Sequence, residues 1–149
     1  MATLIDQLLD EEEGNRAFAY RDSRGYISIG RGVCVDERVP GAVLSPSALA
    51  YINGSKLNEA QVRARALQGF ASLNEVRQAV VISMCYQLGE LASWTGFKAA
   101  LAAGDYAAAA NAMLFEKDGV TWTLWRKQTT RRCEREARMM QSGLWEPRT

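Results

Sequence analysis

Between Thr3 and Gly14, Leu4, Ile5, Leu8 and Leu9 recur at the three-and-four spacing of one helix face, on which Glu12 is the only charge. Thr3 supplies an N-cap, Asp6 three residues on makes a shortened capping box, and Gly14 stands where such a helix stops. The pattern then changes period. The runs AFAY, YISIG and VCV are short and rich in aromatic and β-branched residues, and the segment RDSRG separates the first two, with Gly25 free to take a positive φ. They predict a small hairpin or three-stranded sheet. Beyond Pro40 and Gly41, Ser45 and Pro46 open a short helix that Asn53 and Gly54 close, and a second helix with a thin apolar stripe runs from Asn58 to about Phe70. Asn74 caps a segment, NEVRQAVVISMCYQLGE, that is apolar on nearly every side and so predicts a buried helix. Three further helical stretches follow: GFKAALAAG, DYAAAANAMLFEKDG behind Asp105, and TTRRCEREARMMQSG between Thr129 or Thr130 and Gly143. Short connections predict packing between sequence neighbours. The picture is a single α+β domain, residues 1–149, with a small lobe over 1–57, a helical lobe over 58–149, and a cleft between them as the default site.

Composition narrows the class. A chain of 149 residues that is 48% hydrophobic can bury one core or two adjoining small ones. A net charge of +1 gives no global reason to expect nucleic acid or a membrane surface as partner. No apolar run approaches the roughly 20 residues of a spanning helix, and no export signal is expected. Charge is nevertheless uneven: Asp6–Glu13 holds five acids and no base, whereas Arg126–Arg138 holds six bases against Glu134 and Glu136. These segments either meet or face water separately. Cys34, Cys85 and Cys133 lie far apart in a chain without histidine, which predicts reduced thiols and neither metal nor cofactor.

The densest chemistry is in DEEEGNRAFAYRDSRGYISIGRG, Asp10 to Gly32. Glu13 falls in the last turn of the first helix, where the helix dipole disfavours an anion, and Asp10, Glu11 and Glu12 beside it favour its protonated form. Asp22 sits in a turn that offers N–H donors, flanked by Arg21 and Arg24, which suits an ionised carboxylate. Ser28 has a hydroxyl able to hold a water between them. Two carboxyls in unlike environments suffice to hydrolyse a glycosidic bond, one protonating the leaving oxygen and the other activating water or stabilising positive charge. A solvated helix end beside an ordinary surface turn has the same composition.

Glu13, eight residues, Asp22, five residues and Ser28, with Gly14 after the acid and GYISIG around the serine, resemble the catalytic signature of the phage-type lysozymes of glycoside hydrolase family 24. The resemblance continues through VRQAVVISMCYQLGE, Gly96 and Phe97, RRCERE, and Gly143 to Trp145. It is poor from Val33 to Phe70, which looks shorter than in the family. Two departures stand out: Ser28 replaces the family's threonine and keeps its hydroxyl, and Val33 replaces a structural histidine.

The resemblance implies a lysozyme-like α+β fold and hydrolysis of the β-1,4 bond between N-acetylmuramic acid and N-acetylglucosamine in bacterial peptidoglycan; inversion is the expected outcome, which the separation of the two carboxyls decides. It makes Glu13 the general acid, Asp22 the base or electrostatic stabiliser, and Ser28 the water holder. Arg132 would approach Glu13 from the last helix, which would join the acidic and basic segments. Tyr86 and Gln87 would line the sugar cleft, with Cys34 and Asn111 as further substrate-binding candidates. The implied protein is a monomeric endolysin, made in the host cytoplasm and acting in the periplasm after holin-dependent release, or a virion component. A lytic transglycosylase, which needs only the acid, and a catalytically silent peptidoglycan-binding module of a phage tail or secretion apparatus are the alternatives.

Overall fold

A computed structural model describes residues 3–21, 27–31, 33–34 and 46–148. Along the chain lie α1 (Leu4–Glu13), β1 (Arg16–Arg21), β2 (Ile27–Gly30), β3 (Val33–Cys34), α2 (Pro46–Arg65), α3 (Glu75–Leu88), α4 (Thr95–Ala103), α5 (Tyr106–Leu114), α6 (Leu124–Gln128) and α7 (Thr130–Ser142). The architecture is the expected α+β one: a small N-terminal helix and antiparallel strands, then a larger all-helical region.

Helix α1 begins as its capping residues dictate. The Thr3 hydroxyl accepts from the Asp6 amide at 3.3 Å, and the Asp6 carboxylate accepts from the Thr3 amide at 3.2 Å. Gly14 ends it at φ 69°. The strands form one sheet in the order β1-β2-β3, with Ser28 opposite Tyr20 on one side and Cys34 on the other. The turn expected between β1 and β2 lies outside the described residues beyond Arg21.

The middle of the chain corrects the sequence expectation. Asn53 and Gly54 do not end a helix; α2 runs through them from Pro46 to Arg65, so residue 57 lies inside one continuous element. The reason is tertiary. The side chain of Asn53, a buried residue, accepts from the Arg31 amide at 3.1 Å and donates to Asn15 at 2.9 Å, so it is engaged in tertiary contacts and not in ending the helix. They outweigh the roughly 1 kcal/mol that glycine costs inside a helix. Gly30 completes the joint: it has φ 61°, and a Cβ there would stand 2.5 Å from the Asn53 side-chain oxygen.

Two smaller corrections fall near the end. Helix α5 stops at Leu114, because Phe115 pairs with Trp122 across a turn in which Asp118 accepts from the amides of Val120 and Thr121. Helix α6 was not expected, although Thr123 caps it by accepting from the Arg126 amide at 3.1 Å.

Helix α3 is the axis. Val80, Val81 and Met84 on it are fully buried, and it packs against α1, α2 and α7. Ile5, Leu8 and Leu9 of α1 join the same core as Met113, Trp125, Met139 and Met140. The helix that carries the acidic run is therefore anchored in the helical region, which fixes the position of Glu13. No helix among the described residues is long and apolar enough to cross a membrane.

Candidate active site

A helix turns about 100° per residue, so the carboxylates of α1 point in different directions, and three arginines take them up. Arg31 takes Asp6 at 3.2 Å and Asp10 at 2.8 Å. Arg135 takes Glu11 at 2.6 Å and Glu12 at 2.8 Å, and its Nε donates to the Glu146 carbonyl. Arg132 takes Glu13 at 2.5 Å. The acidic N-terminal and basic C-terminal segments thus meet. This also qualifies one argument from the sequence: Asp10 is paired with Arg31, and Glu11 and Glu12 share Arg135, so they do not simply crowd Glu13 with negative charge.

The pair at Glu13 is backed by a buried polar cluster on the far side of its arginine. Glu13 is one-fifth exposed, while the Arg132 side chain is 7% exposed. Behind Glu13, the Nε of Arg132 donates to Glu136 Oε1 at 2.9 Å and its Nη2 donates to Ser83 Oγ at 2.8 Å. The Ser83 hydroxyl in turn donates to the same Glu136 oxygen at 2.8 Å. Glu136 is wholly buried, and its Oε2 has no hydrogen-bond partner among the described residues. Burial disfavours the Arg132 charge, but Glu136 foremost and Glu13 after it hold the proton more firmly than usual. Burial likewise lifts the Glu136 carboxyl above its ordinary value, against the pull of Arg132 and Ser83.

The surroundings of Glu13 are part open and part closed. It lines a cavity of about 770 Å³ together with Gln87, Thr129, Arg131 and Arg132. Gln87 is exposed there and its side-chain oxygen accepts from the Trp125 indole at 2.7 Å, which fixes the amide orientation. Tyr86 faces inward: it is 4% exposed, and its hydroxyl donates to the Arg31 carbonyl at 2.9 Å. Burial first, and the Glu13 charge second, push its phenol upward. Lys56 stands over the Tyr86 ring, its Nζ 4.1 Å from the centroid, with its ammonium shifted down by burial although Glu13 pulls it the other way.

The structure therefore gathers Glu13, Arg132 and Gln87 around one cavity, with Tyr86 as a buried strut rather than an open wall. Ser28 is buried in β2. Cys34 is opposite it in β3 by backbone register. Asn111 lines a separate cavity of about 680 Å³ with Trp94, Phe97, Leu124 and Trp125. Asp22 lies outside the described residues. Lys56, Ser83 and Glu136 were not anticipated. Ser83 and Glu136 had signals: a hydroxyl in an otherwise apolar helix, and an acid four residues after Arg132, the helical spacing of an ion pair. Among the described residues no group of three or more His, Cys, Asp or Glu converges on a metal position.

Comparison with known proteins follows the same geometry. The family described as Phage lysozyme matches residues 10–135, from the acidic end of α1 to the arginine that pairs with it. A SAR-endolysin of Enterobacteria phage H19B is 42% identical over 60 residues, a match covering 38% of this chain. The matched part spans about a third of that relative, 34% of its length.

Proposed function

The chain belongs to the phage lysozyme family, an endolysin-type hydrolase family, and from that premise we propose that it is a muramidase. Its substrate is the glycan strand of bacterial peptidoglycan, cut at the β-1,4 bond between N-acetylmuramic acid and N-acetylglucosamine. The observation that supports this most strongly is Glu13 itself. Its guanidinium partner is held from behind by the buried carboxylate of Glu136 and the Ser83 hydroxyl, and it lines a cavity large enough for a sugar residue.

In this reading the Glu13 carboxyl gives its proton to the glycosidic oxygen as the bond from that oxygen to the anomeric carbon breaks. Asp22 takes a proton from water, and the remaining hydroxide adds to the anomeric carbon with inversion, so that one water is consumed per bond. Ser28, in the strand that returns after the turn, orients the water. Gln87, its amide fixed by Trp125, offers a polar contact for the sugar. The protein acts on the wall from the periplasm after synthesis in the host cytoplasm.

Purified murein tests the reading. Wild-type protein is expected to release reducing muropeptides, and Glu13→Gln and Asp22→Asn should each lose at least about a hundredfold in rate, the scale of a missing acid or base. Anhydro ends would replace hydrolysis by transglycosylation. No release by any folded chain would leave a murein-binding module.

A further inference from the structure

A general acid held against a guanidinium is a conflict, because the cation favours the carboxylate and the reaction needs the carboxylic acid. The groups behind Arg132 bear on this. Its guanidinium has two edges in use: Nη1 reaches Glu13, while Nε and Nη2 are held by Glu136 and Ser83. Glu136 has no contact with the cavity; it lies fully buried one helical turn behind Arg132. A buried carboxylate is costly to a fold, and replacement of buried ion pairs by apolar groups is often neutral or stabilising. Packing alone therefore does not account for it.

We propose that Glu136 is a positioning residue for the acid step: with Ser83 it fixes the Arg132 guanidinium so that one amino group meets Glu13, and it takes up the cation's charge so that Glu13 keeps its proton. The inference deepens the muramidase reading and rests on Glu13 being its general acid. The charge balance supports it. Both Arg132 Nε and the Ser83 hydroxyl donate to one Glu136 oxygen, which sets the Glu136 carboxyl directly against the guanidinium. In its ionised form Glu136 neutralises Arg132 from behind before it meets Glu13. The remaining groups around the pair are few. Glu13 is faced by Lys56 from α2, Tyr86 from α3 and Arg132 from α7. Glu136 is faced by Glu12 from α1, Ser83 from α3 and, on its own helix, Arg132 and Cys133.

The test is the pH profile of murein turnover in wild type, Glu136→Gln and Glu136→Asp. The rate should fall on the alkaline side as Glu13 ionises. In Glu136→Gln, with Arg132 left to Glu13 alone, that limb should move roughly one pH unit or more toward acid, the effect of a bare opposite charge within hydrogen-bonding range. Glu136→Asp keeps the charge and should return the limb most of the way. A limb that stays in place in folded Glu136→Gln, whatever happens to the maximal rate, overturns the inference. Carbon-13 titration of the Glu13 carboxyl reads the same shift without turnover. If that midpoint moves in Glu136→Gln while wild type releases nothing from murein, the muramidase reading falls and the charge-sharing geometry stands. Should Glu136→Gln not fold, titration of the wild-type Glu136 carboxyl decides: ionised between about pH 5 and 8 supports the proposal, protonated there overturns it.

Discussion

Tyr86 shows how one residue can be placed correctly on an element and misjudged in its direction. The run ending Tyr86, Gln87, Leu88, Gly89 located it on α3, but sequence does not say which side of an almost wholly apolar helix meets water. The structure points Gln87 outward and Tyr86 inward, where its hydroxyl satisfies the Arg31 carbonyl. Tyr86→Phe should therefore destabilise the fold by about 1–3 kcal/mol, the cost of a buried acceptor left unmade, as read from urea midpoints at unchanged m-value. A neutral result would show that water replaces the phenol. The thiols give a second check at this scale. Burial lifts Cys85 to about 11 and Cys133 to about 12, so at pH 8 only about a thousandth or less of either is thiolate. Iodoacetamide at pH 8 should leave both unmodified in native protein and label both in urea, as mapped by peptide mass. Labelling of either at the unfolded rate would contradict the packing around α3 and α7.

At the scale of elements, local signals worked wherever a helix end needed nothing from the rest of the molecule. Thr3, Asn74 and Asp105 each cap by accepting from a backbone amide three residues on, and Gly104 and Gly143 end helices in the left-handed region, as their positions predicted. The signals failed at Asn53 and Gly54, where contacts from Arg31 and Asn15 decide the outcome, and at α6, whose five residues give no periodicity to read. The joint between α1 and α7 was visible in composition only as a charge imbalance, and the family resemblance added the approach of Arg132 to Glu13. Its energetics separate two arginines one turn apart on α7. Arg135 is 5% exposed and holds Glu12, itself 6% exposed, whereas the Arg138–Glu146 pair is largely in water. Arg135→Ala should cost about 3–5 kcal/mol, because it leaves a buried carboxylate unpaired, and Arg138→Ala about 0–1 kcal/mol, a loss that salt further shrinks. Urea melts of the two variants in low and high salt measure the contrast. Equal losses would mean that Glu12 finds water or another partner.

For the molecule as a whole, the important arrangement is that α1 leaves the strands beside it and joins the helical core, so that the sheet is tethered through polar contacts that converge on Arg31. Its amide is bound to α2, its carbonyl to α3, and its guanidinium to Asp6 and Asp10 on α1. Such a tether is sensitive to acid. Burial works against the Asp6 charge, but hydrogen bonds from Thr3 and the Arg31 guanidinium outweigh it and hold the carboxyl below its ordinary value. The sign follows: a carboxyl depressed in the folded state stabilises fully above its unfolded value, near 3.9, and that contribution disappears as pH falls through the lower folded value. Asp6→Asn should therefore lower stability by about 1 kcal/mol at neutral pH, the scale of one helix cap with a screened ion pair, and the difference from wild type should close below about pH 3. Thermal melts of both chains from pH 7 to 2.5 make the comparison. A gap that persists unchanged into acid would assign the loss to the neutral part of the Thr3–Asp6 cap, and would leave Arg31 holding the sheet to the core through its backbone bonds to Asn53 and Tyr86.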